Sequence, residues 1–568
     1  MVNKQLIQKH IVQYLVLVVV LVIVAAISAN TFFRIDLTSE KRYTLASSTR
    51  EVLRNLDAPV YFRVYLAGDL PSGFVEFQES VREMLDEFRA YAGENIQYDF
   101  INIYDEQDEA ARNRTIMNLF NKGLRVTNIK MRDAEGGSSD KIIFPGAVLN
   151  YKGMEFPVNL LKNNPSLPHE VNLSNSIQTL EYEFSKALHS LSKTDVPRIA
   201  FIEGHGELDS LQTYSIMNEL KNFFQVDRGV INGNMEALLG YEAIVIAQPM
   251  RPFSAADKFA IDQYVMRGGK VLWFIDPVVT LPDSLSSGMT LSLVNDLNIE
   301  DLLFKYGFRI DYNIVTDLQC NYIPVNISVQ GTAEDTEMRP WVYNPLLTAP
   351  TTHPVTRGLN YVHGQFVSSF DTIGVTTEMQ RTVLLSTSER SRERQVPLRI
   401  TMDEVSRDPD PRLFTDVHLP VAVLAEGVFP SFFRNYSVPS GVYPPDAEIL
   451  DESAHTSMLV VTDGDIIRNE VRVEGGRYAA GVLGYDPYTR QTFGNLEFIL
   501  NAVNYMTDET GLMELRAREF RLRLLNKAIL TDKGQVLRWK LVNSLLPVVL
   551  IVVFGILFNI YRKRKFSR

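Results

Sequence analysis

Two long apolar runs, one near each end, constrain this chain more than anything between them. Every residue from Leu15 to Ile27 is apolar, and the run widens to residues 11–29 with only Gln13, Tyr14 and Ser28 interrupting it. Those nineteen residues are enough to cross a hydrocarbon layer of ~30 Å at about 1.5 Å of rise per residue. Lys4 and Lys9 before the run, and Ala25, Ala26, Ser28 and Ala29 at its end, would also suit a cleaved secretory signal. The run exceeds the ~7 to 15 residues of a signal core, however, so an uncleaved anchor is the expectation. The second run, Leu541 to Ile560, carries Asn543, Ser544, Pro547, Gly555 and Asn559 among Leu, Ile, Val and Phe, polar groups that a membrane helix tolerates near its ends. Tyr561, Arg562, Lys563, Arg564 and Lys565 follow at once, an aromatic and basic cap suited to an inner-leaflet boundary. Two spans put both termini on one side and about 510 residues on the other. The positive-inside rule then predicts a two-pass membrane protein with both termini cytoplasmic and an extracytoplasmic body. Arg34, Lys41, Arg42, Arg538 and Lys540, just across the boundary, oppose that orientation.

Composition narrows what the body can be. At ~150 residues per domain, 568 residues imply three or four domains. A net charge of −11 disfavours general nucleic-acid binding, which needs a basic field. An apolar fraction of 45% beside 22% charged residues is enough to bury ordinary cores. Cys320 is the sole cysteine, so an internal disulfide, a Cys-x-x-Cys redox pair and a thiolate zinc site are all excluded.

Within the body, Thr44 and Ser47 suit the start of a helix carrying Val52, Leu53 and Leu56. Val60 to Leu66 alternates as a strand, Phe77, Val81, Met84, Leu85 and Phe88 recur at helical spacing, and Ile96 to Ile103 reads as another strand. That order predicts a small α/β unit with a parallel pair, similar to a thioredoxin-like core without its cysteines. Leu124 to Met131, Lys141 to Leu149 and Glu155 to Leu160 are further expected strands, the first two joined by a loop at Gly136 to Ser139. A helix with Leu180, Phe184, Leu188 and Leu191 ends near Asp195 and Pro197, the expected domain boundary. Beyond it, strands at Arg198 to Ile202, Ala243 to Ala247 and Lys270 to Ile275 alternate with helices at Leu211 to Phe223 and Ala255 to Met266. This is the pattern of a doubly wound, mostly parallel α/β sheet. Its ligand crevice would lie beyond the carboxyl ends of the strands, among Glu203, His205, Gln248 and Asp276. Residues 280–440 read as loops and short strands with an exposed charged run from Glu389 to Arg394, and Val421 to Leu424 and Met458 to Val461 as returning strands of the same sheet. Glu514 to Leu530 reads as a basic amphipathic helix lying along anionic headgroups or a membrane partner. The expected division is a tail at 1–10, a span at 11–29, a thioredoxin-like α/β domain at 30–195 and a larger, amidotransferase-like α/β domain at 196–510. A juxtamembrane helix at 511–540, a span at 541–560 and a basic tail at 561–568 complete it.

Chemistry concentrates in the loop Glu203, Gly204, His205, Gly206, Glu207, with Asp209 close behind. A histidine and three carboxylates at a strand end could hold a metal, act as an acid/base pair or contact a ligand. The bland alternative is a glycine turn whose Asp209 caps the next helix. Ligand contact at Glu203, Gly204, His205, Gly206 and Asp276 is the functional expectation, with no catalytic residue and no metal ligand assigned. Neither the G-x-G-x-x-G fingerprint nor a G-x-x-x-x-G-K-[ST] P-loop occurs, so the chain does not bind or hydrolyse ATP by those routes. Cys320 lacks the small neighbours of a nucleophile on a sharp turn. Asp463-Gly464-Asp465 is too short for an EF-hand loop and reads as a surface turn.

The segments RIDLTSEKRYTL, IAFIEGHGELD, RGGKVLWFIDP and VVTDGDIIRN, between two terminal spans, resemble the gliding-motility-associated ABC transporter auxiliary (GldG) family over essentially the whole chain. The resemblance implies a non-catalytic auxiliary or substrate-binding subunit without a cofactor, working in the inner membrane with an ABC permease (GldF-like) and a separate ATPase (GldA-like). It carries over no catalytic or ligand residues. A membrane-tethered hydrolase with an amidotransferase-like domain, using Glu203, His205 or Asp276, and an envelope scaffold are the alternatives.

Overall fold

Alternating apolar residues start the first sheet where the sequence places them. In this computed structural model, residues 14–20, 44–132, 138–162, 167–193, 196–326, 336–350, 352–371, 379–445, 448–517 and 533–566 are described. Met1–Arg518 forms one compact unit and Glu519–Arg568 a second. Helix α1 (Ser47–Arg54) leads to β1 (Val60–Val64), α2 (Ser72–Ala92), β2 (Ile96–Phe100) and α3 (Glu109–Asn121). Strands β3 (Thr127–Arg132), β4 (Ser138–Ile143), β5 (Gly146–Tyr151) and β6 (Met154–Asn159) follow, then helix α4 (His169–Ser192). The four-stranded sheet runs β2-β1-β5-β6, with β1 parallel to β2 and the rest antiparallel. The parallel pair is as expected for strand, helix, strand. The strand expected over Lys141 to Leu149 is two strands, because Phe144 and Pro145 break the ladder and β4 pairs with β3 instead. The predicted helical faces bury Phe77, Val81, Leu85 and Phe88 of α2 and Leu180, Phe184 and Leu188 of α4. Phe184 meets Phe62 and Phe88 edge-on at 5.4 and 6.1 Å, an arrangement aromatic quadrupoles favour.

The larger sheet begins with β7 (Arg198–Glu203), α5 (Tyr214–Leu220), β8 (Gln225–Val230), β9 (Ala243–Ala247), α6 (Ala255–Met266) and β10 (Lys270–Phe274). The chain then passes through smaller sheets formed by β11 (Val278–Val279), β12 (Met289–Val294), β13 (Asn313–Asp317), β14 (Cys320–Asn326) and β15 (Thr336–Leu347). It returns through β16 (Met379–Ser386), β17 (Ser391–Gln395), β18 (Leu398–Thr401), β19 (Pro420–Gly427) and β20 (Thr456–Val461), ending on α7 (Asn495–Met506). Seven strands align in the order β16-β19-β20-β10-β9-β7-β8. The five from β20 to β8 are parallel, while β19 and β16 run antiparallel at one edge. Both returning strands expected from the sequence, β19 and β20, belong to this sheet. The charged run at Glu389 to Arg394 is not a free exposed segment, because β17 pairs with β13 and Ser391 is buried.

Unbroken apolar runs suit strands covered on both faces. Ile199 and Phe201 pack with α5 and α7, whereas Ala200 and Ile202 pack with α6. Phe201 is 1% exposed, so truncating it to alanine would cost about 3–5 kcal/mol. From β7 the chain goes to β8 on one side and to β9 and β10 on the other. The point where a parallel sheet reverses direction therefore lies beyond the carboxyl ends of β7 and β9.

Helix α8 (Lys533–Phe566) contains Pro547. Its segment Gly534–Arg564, 31 residues long with a mean hydropathy of 2.7 over its most apolar 18 residues, is the one helix among the described residues long and apolar enough to cross a membrane. Of the first apolar run, residues 14–20 are helical with exposed side chains, and the remainder lies outside the described residues. So does most of the predicted basic helix, of which Met513–Ala517 is a 3₁₀ turn.

Candidate functional site

The loop after β7 is shaped by its two glycines. Gly204 and Gly206 adopt φ of +118° and +79°, conformations that favour residues without a Cβ. Between them the His205 carbonyl accepts hydrogen bonds from the backbone N–H of Met250 and Arg251, both at 2.8 Å. The loops after β7 and β9 are thereby tied together across the switch point.

The His205 ring lies between two carboxylates. Nδ1 is 3.0 Å from Glu207 Oε1 and Nε2 is 3.3 Å from Asp257 Oδ2, while one face stacks on Phe253 at 3.7 Å. Asp257 is the third residue of α6. Its carboxylate also accepts from Ser254 Oγ at 2.6 Å and from the Gly233 N–H at 2.7 Å. Burial alone would lower the His205 pKa, but the bonds to Asp257 and Glu207 outweigh it and raise the value to about 9. Burial likewise opposes ionisation of Asp257, and the donors His205, Ser254 and Gly233 overcome it, holding this carboxyl at about 2. His205 is therefore an imidazolium at neutral pH with both nitrogens engaged, which leaves neither free to ligate a metal or take a proton from a substrate.

Glu203 turns to the other side of β7. It accepts from Arg228 Nε at 2.6 Å, and Arg228 also donates to Thr213 Oγ1 at 2.8 Å and to the Leu208 carbonyl at 2.6 Å. Asp276 belongs to a third group, at the ends of β10 and β20. Gln248, at φ +55°, directs its amide nitrogen to Asp276 Oδ2 at 2.6 Å and Asp465 Oδ1 at 3.2 Å, and the Gly464 N–H donates to Asp276 Oδ1. Burial, reinforced by the charge of Asp465, pushes the Asp276 pKa up to about 7 against the donors Gly464 and Gln248. Burial and the charges of Asp465 and Asp276 push Asp463 well above its ordinary value. Its oxygens accept from the backbone N–H groups of Asp465 and Gln365, both at 2.9 Å. Burial among neighbouring carboxylates thus holds both Asp276 and Asp463 against ionisation.

All the expected residues thus stand at the carboxyl ends of the parallel strands. Glu203, His205 and Asp276 are not in one constellation, however, since each is engaged by a different partner. Asp257 and Arg228 escaped sequence reasoning. Asp257 reads as an ordinary helix-capping residue after Ser254, and Arg228 lies on a strand whose charged residues hide its alternation. Among the described residues no group of three or more His, Cys, Asp or Glu side chains is arranged to hold a metal ion. Cys320 is buried, and that burial, with Asp317 nearby, pushes its pKa up to about 12, so it is an inert thiol.

Residues 196–502, more than half of the chain, match the family described as an ABC-type uncharacterized transport system. Residues 39–150 match a domain of unknown function, DUF7088. No curated protein matches the chain. A solved structure, described as the mmIFT52 N-terminal domain, aligns at 13% identity over 55% of this chain and 97% of its own, with a TM-score of 0.31. That likeness is too low to carry an argument.

Proposed function

This chain belongs to the ABC-type uncharacterized transport system family, and on that premise we propose that it is a non-catalytic auxiliary subunit of an ABC transporter of the gliding-motility-associated GldG kind. It is anchored in the inner membrane by spans at 11–29 and 541–560, with both termini cytoplasmic and the body, a thioredoxin-like unit at 30–195 and a larger α/β domain at 196–510, in the periplasm. Its partners are an ABC permease (GldF-like) and a separate ATPase (GldA-like). The family match over residues 196–502 carries this reading. Three further features support it. The chain has no P-loop, which fits an ATPase carried on a separate polypeptide. The helix Gly534–Arg564 has the length and hydropathy of a span, with none of its apolar window buried. The His205 triad is closed by its own carboxylates, which fits a framework role better than a hydrolytic one.

Purification of the full-length protein from its native membrane in mild detergent, with mass spectrometry of what co-elutes, tests the proposal. A permease and an ATPase recovered in fixed ratio would support it. Recovery of the chain alone, in detergent that keeps other transporters intact, would refute it.

A further inference from the structure

A cavity of about 640 Å³ opens between α4, β6, the end of α5 and α7. That volume is the size of a small-molecule site. The chain as a whole carries a net charge of −11, yet this cavity is lined by six cationic side chains against four carboxylates. Lys122 pairs with Glu155, Arg125 approaches Glu497 at 3.9 Å, and Lys162 Nζ lies 2.6 Å from Glu183 Oε1. Against the fourth carboxylate, Glu219, stand Lys186, Arg357 and Arg516, so the lining carries a net excess of two positive charges.

Lys186 Nζ lies 3.9 Å from the centroid of the Phe223 ring, and among the described residues no carboxylate stands within ion-pairing distance of it. Arg516 is only 8% exposed. It donates to the Arg357 carbonyl at 3.0 Å and faces the Tyr182 ring at 5.5 Å, but its buried Nε has no hydrogen-bond partner. A buried guanidinium N–H left unsatisfied costs free energy that an incoming acceptor recovers. Side-chain amides, among them Asn175, Gln178 and Asn218, share the wall with the aromatic rings, and amides pair naturally with hydroxyls.

We propose that this cavity binds a small anionic, hydroxyl-bearing solute, a carboxylated or phosphorylated sugar, with its acid group held by Lys186, Arg516 and Arg357 and its hydroxyls met by the amides. The site is separate from the strand-end loop of His205, and its assignment does not depend on which transporter the chain serves. Burial, opposed by Glu183 and aided by repulsion from Lys162 and Arg516, lowers the Lys186 pKa to about 8. Affinity for the acid therefore falls as pH rises through that value, because the cation that receives the ligand is lost.

Calorimetric titration of the full-length protein in detergent with D-glucuronate and glucose 6-phosphate tests the inference, with D-glucose and inorganic phosphate as controls. Both sugar acids are expected to bind saturably, at least about tenfold more tightly than either control. Lys186→Met and Arg516→Gln should each weaken them about tenfold or more while leaving the circular dichroism unchanged. Binding should also weaken with salt and above pH 8. Absence of saturable binding at millimolar concentration, or affinity indifferent to both variants, overturns the proposal. Equal affinity for inorganic phosphate and the sugar acids refutes the recognition of hydroxyls. If a variant fails to fold, the wild-type pH and salt profiles decide, and flat profiles overturn the assignment of Lys186 and its neighbours.

Discussion

The triad of Glu207, His205 and Asp257 makes stability depend on pH in a direction that can be worked out. The unperturbed pKa of His205 is 6.5 and its folded value is about 9, so the folded state holds the proton more tightly than the unfolded one. The contribution is fully present below pH 6.5 and is lost as pH rises through 9. At about 1.4 kcal/mol per pH unit, that gap corresponds to roughly 3 kcal/mol. The depressed pKa of Asp257 expresses the same ion pair from its other side and is not an additional gain. It predicts a second, smaller loss as pH falls from 3.8 through about 2. The reporter is at hand, because Trp273 meets Phe253 edge-on at 5.7 Å and Phe253 stacks on His205. Denaturant unfolding of the full-length protein in detergent, followed by tryptophan fluorescence, should be compared between wild type and His205→Gln from pH 6 to 9.5. The variant keeps a polar side chain but has no titrating proton, so titrations elsewhere cancel in the difference. The stability advantage of the wild type should shrink by roughly 3 kcal/mol across that range. A difference that stays constant with pH would show that the imidazole is not held as a cation, and the reading of the loop as a closed ion triad would fall.

Three further outcomes follow from the neighbouring geometry. Asp276→Asn should be stabilising, and by on the order of 3 kcal/mol more at pH 8 than at pH 5. A carboxyl whose folded pKa is raised from 3.8 to about 7 destabilises the fold increasingly as pH rises between those values, and the amide removes that penalty; a variant less stable than wild type at pH 8 would contradict this. Gly233→Ala should cost at least about 3 kcal/mol, because a Cβ there would lie 2.3 Å from the Gly441 carbonyl oxygen at a φ of +67°. Gly240→Ala, at φ +82° in open space, should cost only about 1 kcal/mol, and denaturant midpoints of the two variants compare them directly. Arg228→Met should cost about 3 kcal/mol in the same assay, since it strands Glu203 and the Leu208 carbonyl together.

How far the sequence could be read depends on the range over which each signal acts. Ile199 to Ile202, Ala243 to Ala247 and Met458 to Val461 are apolar on both faces, and a strand that must be covered twice announces itself in a run of four or five letters. Strand β8, with Asp227 and Arg228 at its middle, is an edge strand whose charged residues pair with Arg198 and Glu203 of β7, so the same rule was blind to it. The end of each strand could be placed as well, which put Glu203, His205, Gln248 and Asp276 on the correct rim of the sheet. What no local pattern encodes is how that rim partitions. Asp257 meets His205 across 52 residues, and Asp465 meets Gln248 across 217; these encounters are fixed by strand order, which the hydrophobic pattern leaves open. The cavity is harder still to foresee, because its cations come from Lys186, Arg357 and Arg516, on segments that read separately as a helix, a loop and a basic run before the second apolar stretch. No local pattern in any of these three segments points to the other two. Only when the fold brings them to a common wall, with one guanidinium buried and a donor unsatisfied, does their sum against the acidic background of the chain acquire chemical meaning.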